Sequence, residues 1–260
     1  MTNRSVIFVL CLGLFLAATA VPAWAMSLSD VINTLETPFQ TETDKASRIY
    51  DYSADFLQES KIASLDRLQH ADGRVEVAFD ERREQAVPEV KFRWQYDHPT
   101  TQEIVSDGKT LWVYLPENNQ VIQSDVTMVN QASQNDPLAF LTGLGNLSRD
   151  FEIRWAAPEK DINGNYVLEL TPRRVSSLIS RLIIVVDRHA VEAYQKHDKG
   201  APKNLLFPII STTIYDPNGN STIIEFRNLR LNLGIPEMNF NFILPAGVQV
   251  VKPTGQEFGD

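Results

Sequence analysis

The stretch Lys91 to Pro116, KFRWQYDHPTTQEIVSDGKTLWVYLP, decides how the rest of the chain is read. Phe92, Trp94 and Tyr96 alternate with Lys91, Arg93 and Gln95, the period of a strand with one buried face. Asp107-Gly108 offers the positive φ of a tight hairpin turn, so the chain is expected to fold back there. The returning arm, Leu111 to Leu115, sets Trp112 and Tyr114 on one face and Leu111, Val113 and Leu115 on the other. The expectation is an antiparallel sheet with one aromatic face. Something apolar must cover that face, either protein alone or protein together with a ligand.

Upstream, Val75, Val77 and Phe79 alternate with Arg74, Glu76 and Ala78, which predicts a strand after a turn at Asp72-Gly73. Phe56 and Ile62 mark an extended stretch from Ala54. Before it, Ser29 is a candidate cap for a helix whose stripe is Leu28, Val31, Ile32 and Leu35, ended or bent by Pro38. A second helical stretch is expected over Asp44 to Tyr52. Downstream, Gln120 to Ser124 reads as a strand. Asp136-Pro137 then reads as an N-cap with proline in the first helical position. The short helix that follows carries Leu138, Phe140, Leu141 and Leu144, with Gly143 and Gly145 loosening its end. Its apolar surface is wider than one core-facing stripe needs.

The second half continues the strand pattern. Phe151, Ile153 and Trp155 alternate, Asn163-Gly164 is a turn, and Tyr166, Leu168 and Leu170 face one way. Arg181 to Asp187, with LIIVV inside, reads as a central strand. Residues 189–206 are polar, are broken by Gly200 and Pro202, and read as an insertion. Ile209 to Tyr215 and Ser221 to Leu231 flank a turn at Pro217 to Asn220. Met238, Phe240, Phe242 and Leu244 suggest a last long strand. The sum is a mainly β chain with short helices (α+β), about eleven strands in a curved antiparallel sheet forming an incomplete barrel, lidded by roughly two to four helices.

The first 25 residues read as a secretory signal peptide. Arg4 is their only charge, Val6 to Ala20 is an apolar core, and Ala23-Trp24-Ala25 is a cleavage pattern. The apolar run is shorter than the ~20 residues that span a bilayer. Cys11, the only cysteine, lies in this leader, so no disulfide is expected in the mature chain. Cleavage after Ala25 leaves 235 residues, read as one domain over 26–260. Losing Arg4 takes the net charge from −9 to −10. Such a chain repels phosphate backbones, which argues against a nucleic-acid partner.

Catalytic patterns are scarce. There is no G-x-S-x-G elbow, no H-E-x-x-H, no glycine-rich phosphate loop and no C-x-x-C. His70, His98, His189 and His197 are scattered. The combination of His189 and His197 with Asp187 and Asp198 lacks a ligand register. The reading is a chain without enzymatic activity, cofactor or metal. The aromatic strand residues allow two readings, a plain core or the lining of a cavity, and composition leaves both open.

Seven segments, in family order, resemble the LolA family of periplasmic outer-membrane lipoprotein carriers. They are DFLQES (55–60), KFRWQY (91–96), IVSDGKTLWVY (104–114), DPLAFLTGLGNL (136–147), YVLELTPR (166–173), YDPNGNSTIIEFRNLRLN (215–232) and FNFILPAGVQVV (240–251). The resemblance implies an incomplete barrel with an apolar inner face for lipoprotein acyl chains. Matched by motif, Phe92 stands where the family has an aromatic residue that accepts and retains lipoprotein, and Trp94 would share its face. Phe56, Val77, Phe79, Tyr96, Trp112, Tyr114, Phe140, Leu141 and Leu144 would join them. Pro137 and Leu138 would belong to a lid, with Gly143 and Gly145 as hinge candidates, although glycine at a helix end is more often merely a C-cap. The implied partners are acylated lipoproteins, an inner-membrane ABC-type lipoprotein-releasing transporter and an outer-membrane acceptor. The implied state is a monomer in the periplasm. Carriage of another lipid, or an envelope-stress sensor module of this fold, is the alternative. One departure stands out: many relatives have an arginine before the strand's proline that holds the lid shut, whereas here Val87 precedes Pro88, leaving Arg82 or Arg83 as substitutes.

Overall fold

A computed structural model describes residues 26–80, 89–126, 144–176, 179–198 and 205–252. Its strands are β1 (Asp51–Ile62), β2 (Arg67–Asp80), β3 (Glu89–His98), β4 (Gln102–Ser106), β5 (Thr110–Leu115) and β6 (Gln120–Asp125). They continue as β7 (Phe151–Lys160), β8 (Tyr166–Pro172), β9 (Arg181–Val186), β10 (Ile209–Tyr215), β11 (Ser221–Leu231) and β12 (Gln249–Val251). All join one 12-stranded sheet in the order β12-β6-β5-β4-β3-β2-β1-β11-β10-β9-β8-β7. Every pairing is antiparallel except β12 with β6. The two end strands, β12 and β7, do not meet, so the curved sheet stays unclosed, as the fold class anticipates.

Three helices are described: α1 (Leu28–Glu36), α2 (Leu147–Asp150) and α3 (Arg188–Asp198). The cap of α1 is Ser27, not Ser29. The Ser27 hydroxyl accepts from the Asp30 amide at 3.1 Å and the Asp30 carboxylate accepts from the Ser27 amide at 3.3 Å, a reciprocal capping box. The stripe of α1 then buries Val31 and Leu35 completely against the sheet. Helix α3 occupies the stretch read as an insertion. It packs along α1, buries Ala190 and Val191, and Gln195 donates to Asp30 at 3.2 Å.

Three local expectations are corrected. Asp44 to Tyr52 is not a helix. Asp44 caps a single 3-10 turn (Lys45–Ser47), Arg48 is already extended, and β1 begins at Asp51. Asp72-Gly73 is not a turn. β2 runs through it, and the chain reverses earlier, where Asp66 adopts φ 44°. At Gly73 the register against β3 slips by a bulge. Finally, Met238 to Leu244 is not a strand. A 3-10 turn (Glu237–Phe240) leads into an unpaired segment, and only Gln249–Val251 returns to the sheet. The Asp51 carboxylate starts that excursion by accepting from the amides of Leu233 at 2.6 Å and Gly234 at 2.9 Å.

Gly73 is required by its surroundings. A Cβ there would lie 1.9 Å from the Gln95 carbonyl oxygen and 3.0 Å from the Phe56 ring. Both neighbours are fixed, one as backbone and one as a buried ring. Gly73→Ala is therefore expected to destabilise the fold by about 1–3 kcal/mol through overpacking. A urea unfolding midpoint equal to that of the parent would contradict this account of the bulge.

Candidate functional site

The site is built on the inner face of β1, β2 and β3. Residues directly opposite one another share a face, and three such rows cross the strands. They are Phe92–Val77–Tyr52, Trp94–Val75–Ala54 and Tyr96–Gly73–Phe56. Aromatic rings meet along and between them. Phe56 lies 4.5 Å from Trp94 and meets Tyr96 edge-on at 5.0 Å, while Trp94 approaches Phe226 at 6.4 Å. Such offset and edge-on pairs suit the ring quadrupole.

Helical segments cover one end of this face. Phe39, beyond α1, contacts Phe79 at 5.2 Å and Phe207 at 6.1 Å, and Phe207 contacts Tyr52 at 4.8 Å. Leu144 and Gly145 are buried beneath them, and Gln40 donates to the Gly145 carbonyl at 3.0 Å. Glu36 accepts from the Ser148 amide at 2.5 Å, which ties the first turn of α2 to the end of α1. Toward β4 to β6 the cover is uneven. Ile104, Ser106 and Leu111 are buried, while Phe92, Tyr96, Val113, Leu115 and Ile122 are half-buried and Phe56 and Trp94 are each 1% exposed.

Of the residues singled out from the sequence, Phe56, Val77, Phe79, Phe92, Trp94, Tyr96 and Leu144 meet on or against this one face. Trp112 and Tyr114 do not. Trp112 is opposite Val105 and Tyr114 is opposite Glu103, which places both on the outer face. There Phe242 stacks on Trp112 at 6.0 Å and tilts against Tyr114 at 6.0 Å. Their partner is the C-terminal segment, so the expectation of one aromatic face is corrected to two. Pro137, Leu138, Phe140, Leu141 and Gly143, and likewise Arg82, Arg83 and Val87, lie outside the described residues. The sequence pattern does not single out Phe39 or Phe207, whereas the alternation of Ile224 and Phe226 with Glu225 and Arg227 is a signal for Phe226.

The outer face of β3 is polar and tied down. The Lys91 ammonium sits 3.1 Å from the Asp80 carboxylate and 2.6 Å from that of Glu237. Arg93 pairs with Glu103 and donates to the carbonyls of Asn239 at 2.5 Å and Asn241 at 3.0 Å. Burial pulls the Arg93 pKa below its usual value, against the opposing pull of the Glu76 charge. Among the described residues, no three His, Cys, Asp or Glu side chains are grouped to hold a metal ion.

Residues 47–243 match the family model described as outer membrane lipoprotein carrier protein LolA. The chain is 29% identical over 199 residues to an outer-membrane lipoprotein carrier protein of Chromobacterium violaceum, covering 76% of this chain and 80% of that one. A protein of the same description from Bordetella avium is 30% identical over 162 residues, covering 62% and 66%. One from Chromohalobacter salexigens is 23% identical over 239 residues, covering 89% and 98%. Among solved structures, a LolA superfamily protein from Nitrosomonas europaea aligns with TM-score 0.39 at 13% identity, covering 84% of this chain and 99% of that one. An uncharacterized conserved protein from Thermus thermophilus aligns with TM-score 0.47 at 13% identity, covering 88% and 100%.

Tyr52 allows a pH test of the covered end. Its hydroxyl is buried without a hydrogen-bond partner among the described residues, and burial pushes its phenol pKa well above the usual value. Below pH ~10 folded and unfolded chains both keep that proton. Above it the unfolded tyrosine ionises and the folded one does not, so stability falls as pH rises. Tyr52→Phe is expected to be neutral or stabilising by up to ~1 kcal/mol at pH 7, since it removes an unpaired buried hydroxyl. Its advantage over the parent should grow between pH 9 and 11, read as urea midpoints. A variant less stable than the parent across that range would overturn the assignment.

Proposed function

The chain belongs to the LolA family of outer membrane lipoprotein carrier proteins, and from that premise we propose that it ferries the acyl chains of lipoproteins through the periplasm on the inner face of its sheet. The supporting observation is the aromatic face around Phe92, Trp94 and Tyr96, closed at one end by short helical segments and left partly exposed at Phe92, Tyr96, Val113 and Ile122. A second sheet would have filled such a face permanently. Short helices and loops are covers that a ligand can displace.

The physics sets what this face must achieve. Each methylene withdrawn from water gains ~0.8 kcal/mol, so a sixteen-carbon chain is effectively insoluble on its own. A carrier that matched the whole of this gain irreversibly would never let go. Transfer requires the next site to bind the chain more favourably, because an equilibrium moves only by differential affinity. The cargo is received from an inner-membrane ABC-type lipoprotein-releasing transporter and handed to an outer-membrane acceptor. The carrier works as a monomer and makes or breaks no covalent bond. Export depends on the signal peptide at 1–25, cleaved after Ala25, and the mature domain spans 26–260. Pro137, Leu138, Phe140 and Leu141 would serve as the movable cover, with Gly143 and Gly145 as its hinges.

Phe92 is the position to test, because it is half-buried and its loss leaves the packed end untouched. Phe92→Glu is expected to unfold within ~1 kcal/mol of the parent, since a rim carboxylate can turn to water. It should form no soluble complex with a lipoprotein released from inner-membrane proteoliposomes, measured by gel filtration without detergent. A folded Phe92→Glu protein that still carries lipoprotein would defeat the proposal. Mass spectrometry of material co-purifying with the parent should find acylated lipoprotein.

A further inference from the structure

The inner face is not uniformly apolar. Past the aromatic rows, Gln58 lies level with Ile224 and Thr212 across β1, β11 and β10, and Ser60 lies level with Thr222. The Tyr96 hydroxyl donates to the Gln58 side-chain carbonyl at 2.9 Å, and the Gln58 amide donates to the Ser60 hydroxyl at 3.1 Å. The Ser60 and Thr222 hydroxyls are 3.3 Å apart. These groups form a chain of neutral donors and acceptors, all half-buried. Glu59 and Lys61 alternate onto the opposite face, where Glu59 pairs with His70 at 3.7 Å and Lys61 with Asp66 at 3.4 Å.

Two further polar atoms face the same side and are left without a hydrogen-bond partner among the described residues. They are the Thr212 hydroxyl, on a residue with no exposure, and the indole N–H of Trp94. A buried donor with nothing to donate to is a standing cost, and the sites where it persists call for a reason. Trp94 can only donate, so what it lacks is an acceptor.

Building on the carrier reading, we propose that this neutral belt of Tyr96, Gln58, Ser60, Thr222 and Thr212, with Trp94 beside it, holds the ester and amide carbonyls that join acyl chains to their head. The hydrocarbon would lie along the aromatic rows while its carbonyls accept from the belt. A phosphate would bring a charge that neutral hydroxyls and amides neutralise poorly in a half-buried setting, whereas a carbonyl asks only for a donor. The site thereby orients the cargo, polar end at the belt and tails toward Phe92 and the helical cover.

The test compares three probes on the mature protein in detergent-free buffer: a synthetic dipalmitoylglyceryl-cysteinyl peptide, dipalmitoylphosphatidylglycerol, and pyrene, which has no hydrogen-bonding group. Each is titrated against the parent, the Gln58→Leu/Tyr96→Phe double variant and Thr212→Val. Thr212→Val keeps the shape of a buried side chain whose hydroxyl makes no hydrogen bond among the described residues, so it guards against loss of fold in the double variant. The expected result is an affinity for the lipopeptide, relative to pyrene, about tenfold lower in the double variant and about threefold lower in Thr212→Val. A parallel fall for phosphatidylglycerol identifies the ester carbonyls as the bound group, and a fall confined to the lipopeptide identifies its cysteine-linked end. Unchanged ratios in both variants would overturn the belt while leaving the carrier reading intact. Failure of the parent to bind any probe would overturn both.

Discussion

The arrangement depends on one strand being fully committed on both of its faces. In β3, Phe92, Trp94 and Tyr96 turn inward while Lys91 and Arg93 turn outward, and each set has partners. The inward residues join the aromatic rows. The outward ones hold the segment after β11 against the back of the sheet, helped by Asn239, which donates to Glu76 at 3.0 Å. That segment buries Phe240, stacks Phe242 on Trp112, and ends by adding β12 to the β6 edge through the Gln249 amide and the Asn119 carbonyl at 2.9 Å. A sheet edge otherwise open to pairing is thereby occupied.

Lys91 shows why this matters energetically. Its side chain is only 9% exposed and its partner Asp80 only 13%. Burying such a pair costs desolvation that the mutual attraction offsets only with good geometry and further partners. Glu237 supplies the further partner, and it comes from the C-terminal segment. The charge pair is therefore better understood as specifying where that segment docks than as a large source of stability. An apolar residue at 91 would bury well and would say nothing about which segment belongs on top of it.

Much of this is legible in the chain, and the misplaced aromatic pair shows where the reading stops. The alternation in β3 and the Asp107-Gly108 reversal, with Gly108 at φ 90°, stand as read. What the pattern within a strand does not reveal is the face it shares with the next strand. Five residues separate Tyr96 from its partner Gln102, so even-numbered residues face inward in both β3 and β4. Four residues separate Ser106 from Leu111, so in β5 the odd-numbered residues face inward and Trp112 and Tyr114 turn out. A single residue of turn length moves a whole aromatic pair to the other side. The same blindness affected Met238 to Leu244, whose alternation reflects docking onto the outer face through Phe240 and Phe242, while Met238 is 72% exposed. The polar belt was hidden for a different reason. Gln58, Ser60, Thr212 and Thr222 look like ordinary strand residues until β1, β11 and β10 are set in register.

The two faces of the sheet thus answer different requirements. A carrier has to exchange what lies on its binding face without losing its fold, and an ordinary single-sided sheet resists this because the cover it would give up is its core. Here β3 to β6 have a second, smaller apolar cluster on the outer face, around Val105, Val121, Phe240 and Phe242, held by hydrogen bonds and ion pairs that involve no inward residue. The other half of the sheet, β7 to β10, buries Leu168, Leu170, Leu182 and Ile184 completely on the inner side. In β3 to β6 this outer cluster adds to the burial of Trp94, Ile104 and Leu111 inside, whereas β7 to β10 rely on the inner face. The inner face of β3 to β6, where Phe92 and Tyr96 are half-buried, is left as the region whose cover can change at least cost to the whole.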